Sequence, residues 1–129
     1  MTIAISVIIP VLNNKNGLID TLESVTNQSI NKSKYEVIVS DNGSTDGTLE
    51  IIKHYRTMHP QITLVQEKLK SSYAARNKAI LKANGPILAF IDANMTCPKN
   101  WLQKIIDVFK ILDTDYLGAR VITKPKTKS

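Results

Sequence analysis

Val37–Thr48 reads VIVSDNGSTDGT, and Ile87–Asn94 reads ILAFIDAN. Each stretch is an apolar run that ends in an aspartate, and each aspartate opens a turn. Runs of Val, Ile, Leu and Phe with little polar alternation suit strands buried on both faces, as in a parallel sheet. A carboxylate at the carboxyl end of such a strand lies where open α/β sheets bind ligands. Asp41 and Asp92 are therefore expected at the same rim of one sheet, converging on a single crevice suited to a nucleotide or a metal.

The segments around these two strands alternate in the same way. Ile5–Ile9 is a β-branched apolar run that Pro10 is expected to stop. Asn13, Asn14 and Gly17 supply turn and capping chemistry for a helix carrying Leu18, Leu22 and Val25 to about Gln28. Val37–Val39 is the second strand. The following Ser-Thr-Asp-Gly-Thr offers N-caps for a helix with Leu49, Ile52 and Tyr55 on one side, and His59-Pro60 ends it. Ile62–Val65 reads as a third strand. Ser71 or Ser72 caps a helix packing Ala75, Ala79, Ile80 and Ala83, stopped by Asn84-Gly85-Pro86. After a fourth strand, Ile87–Ile91, a helix with Pro98 at an early position presents Trp101, Leu102, Ile105, Ile106 and Phe109. Tyr116–Ile122 would be a fifth strand. This order predicts right-handed βαβ units and a three-layer α/β/α sandwich with a mostly parallel sheet. One domain is expected over residues 1–122, followed by a basic tail over 123–129.

Composition narrows the class. At 43% hydrophobic and 22% charged, the 129 residues fit one soluble globular domain rather than a disordered chain. No apolar stretch approaches the ~20 residues that span a bilayer. The start, MTIAISVIIPVLNN, lacks a basic leader region and reads as a strand. One cysteine, Cys97, cannot form an internal disulfide, and a cytoplasmic location is the expectation, with the inner membrane face as an extension of it. Of the net charge of +6, Arg120, Lys124, Lys126 and Lys128 supply four within the last ten residues. Such a tail is expected to be a solvated terminus, with peripheral contact to an anionic membrane as the alternative. Aromatic residues are sparse and not interleaved with basic ones, which argues against nucleic-acid binding.

Several residues could carry chemistry. Asp41 has two readings of equal weight, a brace for the Asn42-Gly43 turn and a ligand in the crevice; Asp46 fits the brace. Asp92 follows five apolar residues and would be costly to desolvate without a polar crevice or a partner, which favours a functional role. Asp92 and Asn94 form a D-x-N pair that could face a divalent cation, but an amide adds no negative charge, so metal affinity is expected to be weak or absent. Arg76 reads locally as an exposed helix arginine, or else as a guanidinium forked onto a phosphate or base edge. Lys68, Lys70 and Lys78 read as solvated surface, His54 and His59 as surface, and Cys97 as a partly buried small residue. The chain has no G-x-G-x-x-G, no P-loop and no G-x-S-x-G elbow.

The ordered set SVIIPVLNN (Ser6–Asn14), VIVSDNGSTDGT, AARN (Ala74–Asn77) and FIDAN (Phe90–Asn94) resembles the family 2 glycosyltransferases. The resemblance implies the GT-A (Rossmann-like) fold, inverting transfer and a nucleotide-diphosphate sugar donor such as a UDP- or GDP-sugar. It places Pro10, Val11, Asn13 and Asp41 at the nucleotide, with Asp41 on the base. It matches Arg76 to an arginine that helps hold the nucleotide, Asp92 to the first acid of a D-x-D near the ribose and metal, and Asn94 to its second, metal-binding acid. The metal would be Mn²⁺ or Mg²⁺. Three positions depart from the pattern: Asn94 replaces an acid, Leu12 an aromatic residue, and Ser71 or Ser72 a glycine. The chain stops soon after the fifth predicted strand, so it matches the donor-binding half, and no catalytic base can be nominated. The rivals are a truncated, non-catalytic nucleotide-sugar-binding module and, more remotely, a nucleotidyltransferase-like domain. An incomplete sheet also predicts exposed apolar surface and self-association.

Overall fold

The structure, a computed structural model, describes residues 2–112. Its elements are β1 (Ile5–Val11), α1 (Lys15–Val25), a short 3₁₀ turn (Lys32–Lys34), β2 (Tyr35–Asp41), α2 (Thr48–Met58), β3 (Ile62–Gln66), α3 (Ser72–Lys82), β4 (Ile87–Phe90) and α4 (Trp101–Leu112). The expected strand Tyr116–Ile122 and the basic tail lie outside the described residues.

The four strands form one parallel sheet in the order β3-β2-β1-β4. Every residue of β1 and β2 is buried, as the unbroken apolar runs require of central strands covered on both faces. The edge strand β3 instead buries only Ile62 and Val65 and exposes Thr63 and Gln66. Chain order steps from β1 to β2 to β3 in one direction, and β4 then returns to the far side of β1. With right-handed crossovers, that reversal puts α3 on the face opposite α1 and α2.

The packing follows. Ile5, Val7, Ile9 and Val11 join Leu18, Leu22, Val25, Ile52, Trp101 and Leu102 in the larger core. Ile8, Ile38 and Phe90 point the other way, onto Ala79 of α3. That helix buries Ala75 and Ala79, whose small side chains let its axis lie close to the sheet.

Local boundaries differ from the expectation for identifiable reasons. Pro10 does not stop β1. Backbone direction alternates along a strand, so residue 10 faces the same way as Ile8, whose carbonyl accepts the Ile91 N–H at 3.1 Å. The described β4 ladder ends at that bond, so the missing proline N–H forfeits no partner there. β2 extends from Tyr35 to Asp41, two residues beyond Val37–Val39 at each end, with Ser40 buried. α1 ends at Val25, before Gln28. Buried Gln28 instead ties two segments together: its Nε2 donates to Pro98 O at 2.8 Å and its Oε1 accepts the Leu102 N–H at 3.0 Å. Pro98 therefore precedes α4 rather than opening it. Ser71, of the two serines proposed, caps α3 by accepting the Ala74 N–H at 3.2 Å.

A polar knot fastens the end of α3 to the sheet. Buried Glu36 accepts from Ser6 Oγ and from the Asn84 N–H, both at 2.6 Å, and from Asn84 Nδ2 at 3.0 Å. Ser6 Oγ in turn accepts the Gly85 N–H at 2.8 Å. A buried carboxylate supplied with this many donors is held at little cost.

Candidate functional site

A cleft of about 420 Å³ opens at the carboxyl edge of the sheet. Its walls are Pro10, Val11 and Leu12 from the end of β1, Asn42 after β2, the Lys70–Ser72 approach to α3 with Ala75 and Arg76, and Asp92-Ala93 after β4. This is the side of β1 where the strand order reverses, the usual ligand crevice of an open α/β sheet. Pro10, Val11, Arg76 and Asp92 are thus brought together as the sequence suggested. Asn13, Asp41 and Asn94 are not among the lining residues.

Asp41 sits at the same rim but is fully buried, opposite Val11 in register. Its Oδ2 accepts the N–H groups of Gly43 at 3.0 Å and Ser44 at 2.9 Å. Gly43 has φ +97°, the left-handed conformation that glycine adopts without strain. Bracing of the turn is therefore observed. The other oxygen, Oδ1, is buried with no hydrogen-bond partner among the described residues. Most buried polar atoms are paired, so a lone carboxylate oxygen beside a cleft leaves room for a ligand's N–H.

Asp92 is half-exposed, and its Oδ1 lies 3.6 Å from the Arg76 guanidinium. Arg76 reaches it from α3, on the opposite side of the crevice from β4. Asp92 also begins a turn closed by the Met95 N–H donating to Asp92 O at 3.0 Å. Asn94 takes the third position with φ +87°, where asparagine is better tolerated than most side chains. It is exposed and is not among the cleft's lining residues. Among the described residues, no three His, Cys, Asp or Glu cluster to hold a metal ion. Asn13 is likewise a loop fastener: its N–H donates to Ser44 Oγ at 2.8 Å and its Oδ1 accepts the Thr45 N–H at 2.7 Å.

Two lining residues escaped the sequence reading. Asn42, 3% exposed, donates through Nδ2 to Glu67 O and Leu69 O and accepts the Ser71 N–H through Oδ1. It holds the β3–α3 loop against the cleft. Lys70, expected to be free surface, folds across the turn after β2, its Nζ donating to Asn42 O at 3.1 Å. Lys68 and Lys78 are exposed as expected.

The remaining candidates are structural. Asp46 accepts from the Thr48 hydroxyl, which holds its carboxyl below the usual carboxylate range, and from the Lys15 N–H at 3.2 Å. Cys97 is buried against Ser24 and Gln28, and burial pushes its thiol up, away from nucleophilic chemistry. His54 is exposed, and His59 stacks on Tyr55. Among the described residues no helix is long and apolar enough to cross a membrane.

Known proteins resemble this chain in sequence and fold. Glycosyltransferase AglE of Haloferax volcanii is 40% identical over 118 residues, 91% of this chain and 39% of that protein. The structure of S. aureus TarS 1-349 in complex with UDP-GlcNAc superposes with a TM-score of 0.78 at 29% identity, covering 84% of this chain and 32% of that one. Mannosyltransferase PcManGT from Pyrobaculum calidifontis, in complex with GDP-Man and Mn²⁺, gives a TM-score of 0.72 at 26% identity, covering 93% and 34%. The chain thus spans well under half the length of these relatives. Residues 6–129 match the family described as glycosyl transferase family 2, and the chain belongs to that family.

Proposed function

We propose that this chain forms the donor-binding part of an inverting glycosyltransferase that uses a nucleotide-diphosphate sugar. The observation that carries the reading is the cleft itself, with the Arg76–Asp92 pair in its wall and the buried Asp41, one oxygen of which has no partner among the described residues, next to the lining residue Asn42. Asp41 Oδ1 would accept an N–H from the base, while Pro10 and Val11 pack against the nucleoside. The bound UDP-GlcNAc of TarS and GDP-Man of PcManGT support a uridine or guanosine diphosphate sugar. Both bases present a ring N–H beside a carbonyl, which suits a carboxylate acceptor.

In the transfer, an acceptor oxygen attacks the anomeric carbon, the carbon–oxygen bond to the diphosphate breaks, and negative charge grows on the leaving group. Arg76 is placed to fork onto that charge. Asp92 is the sole carboxylate among the lining residues, so it would orient the donor near the ribose and diphosphate. In this reading FIDAN is a variant of D-x-D. Asp92 would hold a divalent ion such as the Mn²⁺ of PcManGT, which when bound would neutralise charge on the leaving diphosphate. The single buried thiol accords with a cytoplasmic setting.

Titration calorimetry with UDP and GDP, with and without Mn²⁺, tests this. Wild-type protein should bind one of them, and Arg76→Ala and Asp92→Ala should each weaken it. Absence of binding by folded wild-type protein would overturn the reading.

One observation favours a second reading, binding without turnover. Asp92 already faces Arg76, and no other lining residue is an acid that could deprotonate an acceptor. Donor hydrolysis or transfer by this chain would exclude it.

A further inference from the structure

Thr21 is fully buried in the second turn of α1, far in sequence from Asp92, yet its hydroxyl meets the turn that carries Asp92. Oγ1 lies 2.6 Å from Met95 O, accepts the Asn94 N–H at 3.0 Å, and lies 3.4 Å from Asp92 O. Its own helix offers a further acceptor, Gly17 O, at 3.1 Å. A hydroxyl has one proton, and the short distance assigns it to Met95 O. The Asn94 N–H is shared between Thr21 Oγ1 and Gly17 O, the latter at 3.1 Å.

These contacts grip the closing half of the Asp92–Met95 turn, at Asn94 and Met95. Ser24 of the same helix and Gln28 just beyond it hold the chain only farther on, at Cys97, Pro98 and Leu102. Thr21 is thus the α1 side chain that fixes the direction in which the chain leaves β4. Asn94 at φ +87° sits at the centre of the gripped turn, a conformation that needs such support. Asp92 itself is half-exposed and anchored through its side chain only by Arg76 at 3.6 Å.

We infer that Thr21 is a positioning residue for the donor site: its hydroxyl sets the Asp92 turn so that the carboxylate faces Arg76 across the cleft. The role rests on the donor-binding reading above. Serine preserves it, because the hydroxyl alone makes the contacts. Valine matches the shape of threonine and abolishes it.

The test is a double-mutant cycle read by calorimetry with UDP and GDP in the presence of Mn²⁺, using whichever nucleotide the wild type binds. Thr21→Val should weaken binding about tenfold, as loss of a buried hydrogen bond implies. Thr21→Ser should stay within about twofold of wild type. In an Asp92→Ala background, Thr21→Val should add no further loss, since its effect runs through Asp92. Unchanged binding by folded Thr21→Val, or an undiminished tenfold loss on top of Asp92→Ala, overturns the inference. Should Thr21→Val fail to fold, Thr21→Ala takes its place in the cycle. Amide exchange of Asn94 and Met95 supplies a readout without nucleotide: the hydroxyl-less variants should speed it selectively relative to the β1 amides, and unchanged exchange overturns the inference. If wild-type protein binds neither nucleotide, the donor-binding reading fails, while the exchange data still decide whether Thr21 holds the turn.

Discussion

Asp41→Asn separates the two roles of Asp41. Oδ2 satisfies the N–H groups of Gly43 and Ser44, and a single amide oxygen can accept both. The substitution replaces the unpartnered Oδ1 with an NH₂ donor at a buried position beside the cleft. If a base N–H is meant to meet Oδ1, the variant sets donor against donor. Losing a hydrogen bond to a charged acceptor costs about 2 kcal/mol, and leaving the facing donors unpaired adds about 1 kcal/mol or more. The sum corresponds to a loss of affinity of about a hundredfold. Stability should change by only about 1 kcal/mol, because the turn keeps its acceptor. Asp41→Ala, by contrast, orphans two backbone N–H groups and should lower Tm on the order of 10 °C. Calorimetry with UDP and GDP, run beside thermal unfolding, reads both quantities. Wild-type affinity in a folded Asp41→Asn protein would refute the assignment of Oδ1 to the base.

Three other perturbations follow from the packing and the exposed surface. Gly85→Ala would bring a Cβ within 2.9 Å of Ile5 C and Ser6 Oγ, and should destabilise by on the order of 2 kcal/mol in urea unfolding. Tyr55 has its phenol pushed up to about 12, by burial first and then by its hydrogen bond to Glu23. The folded state therefore favours the neutral phenol. That contribution is whole below the ordinary value of 10.0 and is lost as pH rises from there through about 12. Wild-type protein should lose more Tm across that window than Tyr55→Phe. Leu12, Ile111 and Leu112 are exposed at 43%, 80% and 56%, and apolar surface of this kind should drive self-association. Light scattering should show apparent mass rising with concentration, and a constant monomer would contradict it.

The fold was readable wherever burial imposes a pattern. Two-faced apolar runs marked β1 and β2 because central parallel strands leave no face for water, a shorter apolar run marked β4 beside β1, and α3 showed itself by the alanines that touch the sheet. Strand ends were less legible. Pro10 looks like a stop until the sheet order reveals that its missing N–H faces the side where β4 has ended. Asp92 could be placed by its position after an apolar run, since a carboxylate there needs a polar setting. Asn42, Lys70 and Thr21 could not, because their roles depend on loops and helices brought together by crossovers. Asn94 shows the same limit: its spacing from Asp92 suggests a shared site, while its left-handed place at the turn's third position is visible only in the fold.

Amide shift mapping by two-dimensional NMR, with UDP or GDP titrated into isotope-labelled protein, tests the donor-site claim most directly. The account predicts saturable shifts confined to the carboxyl rim of the sheet, at Val11, Asn42, Lys70, Ala75 and Ala93. Shifts clustered on the outer faces of the helices, or none at ligand concentrations well above a millimolar affinity, would contradict it.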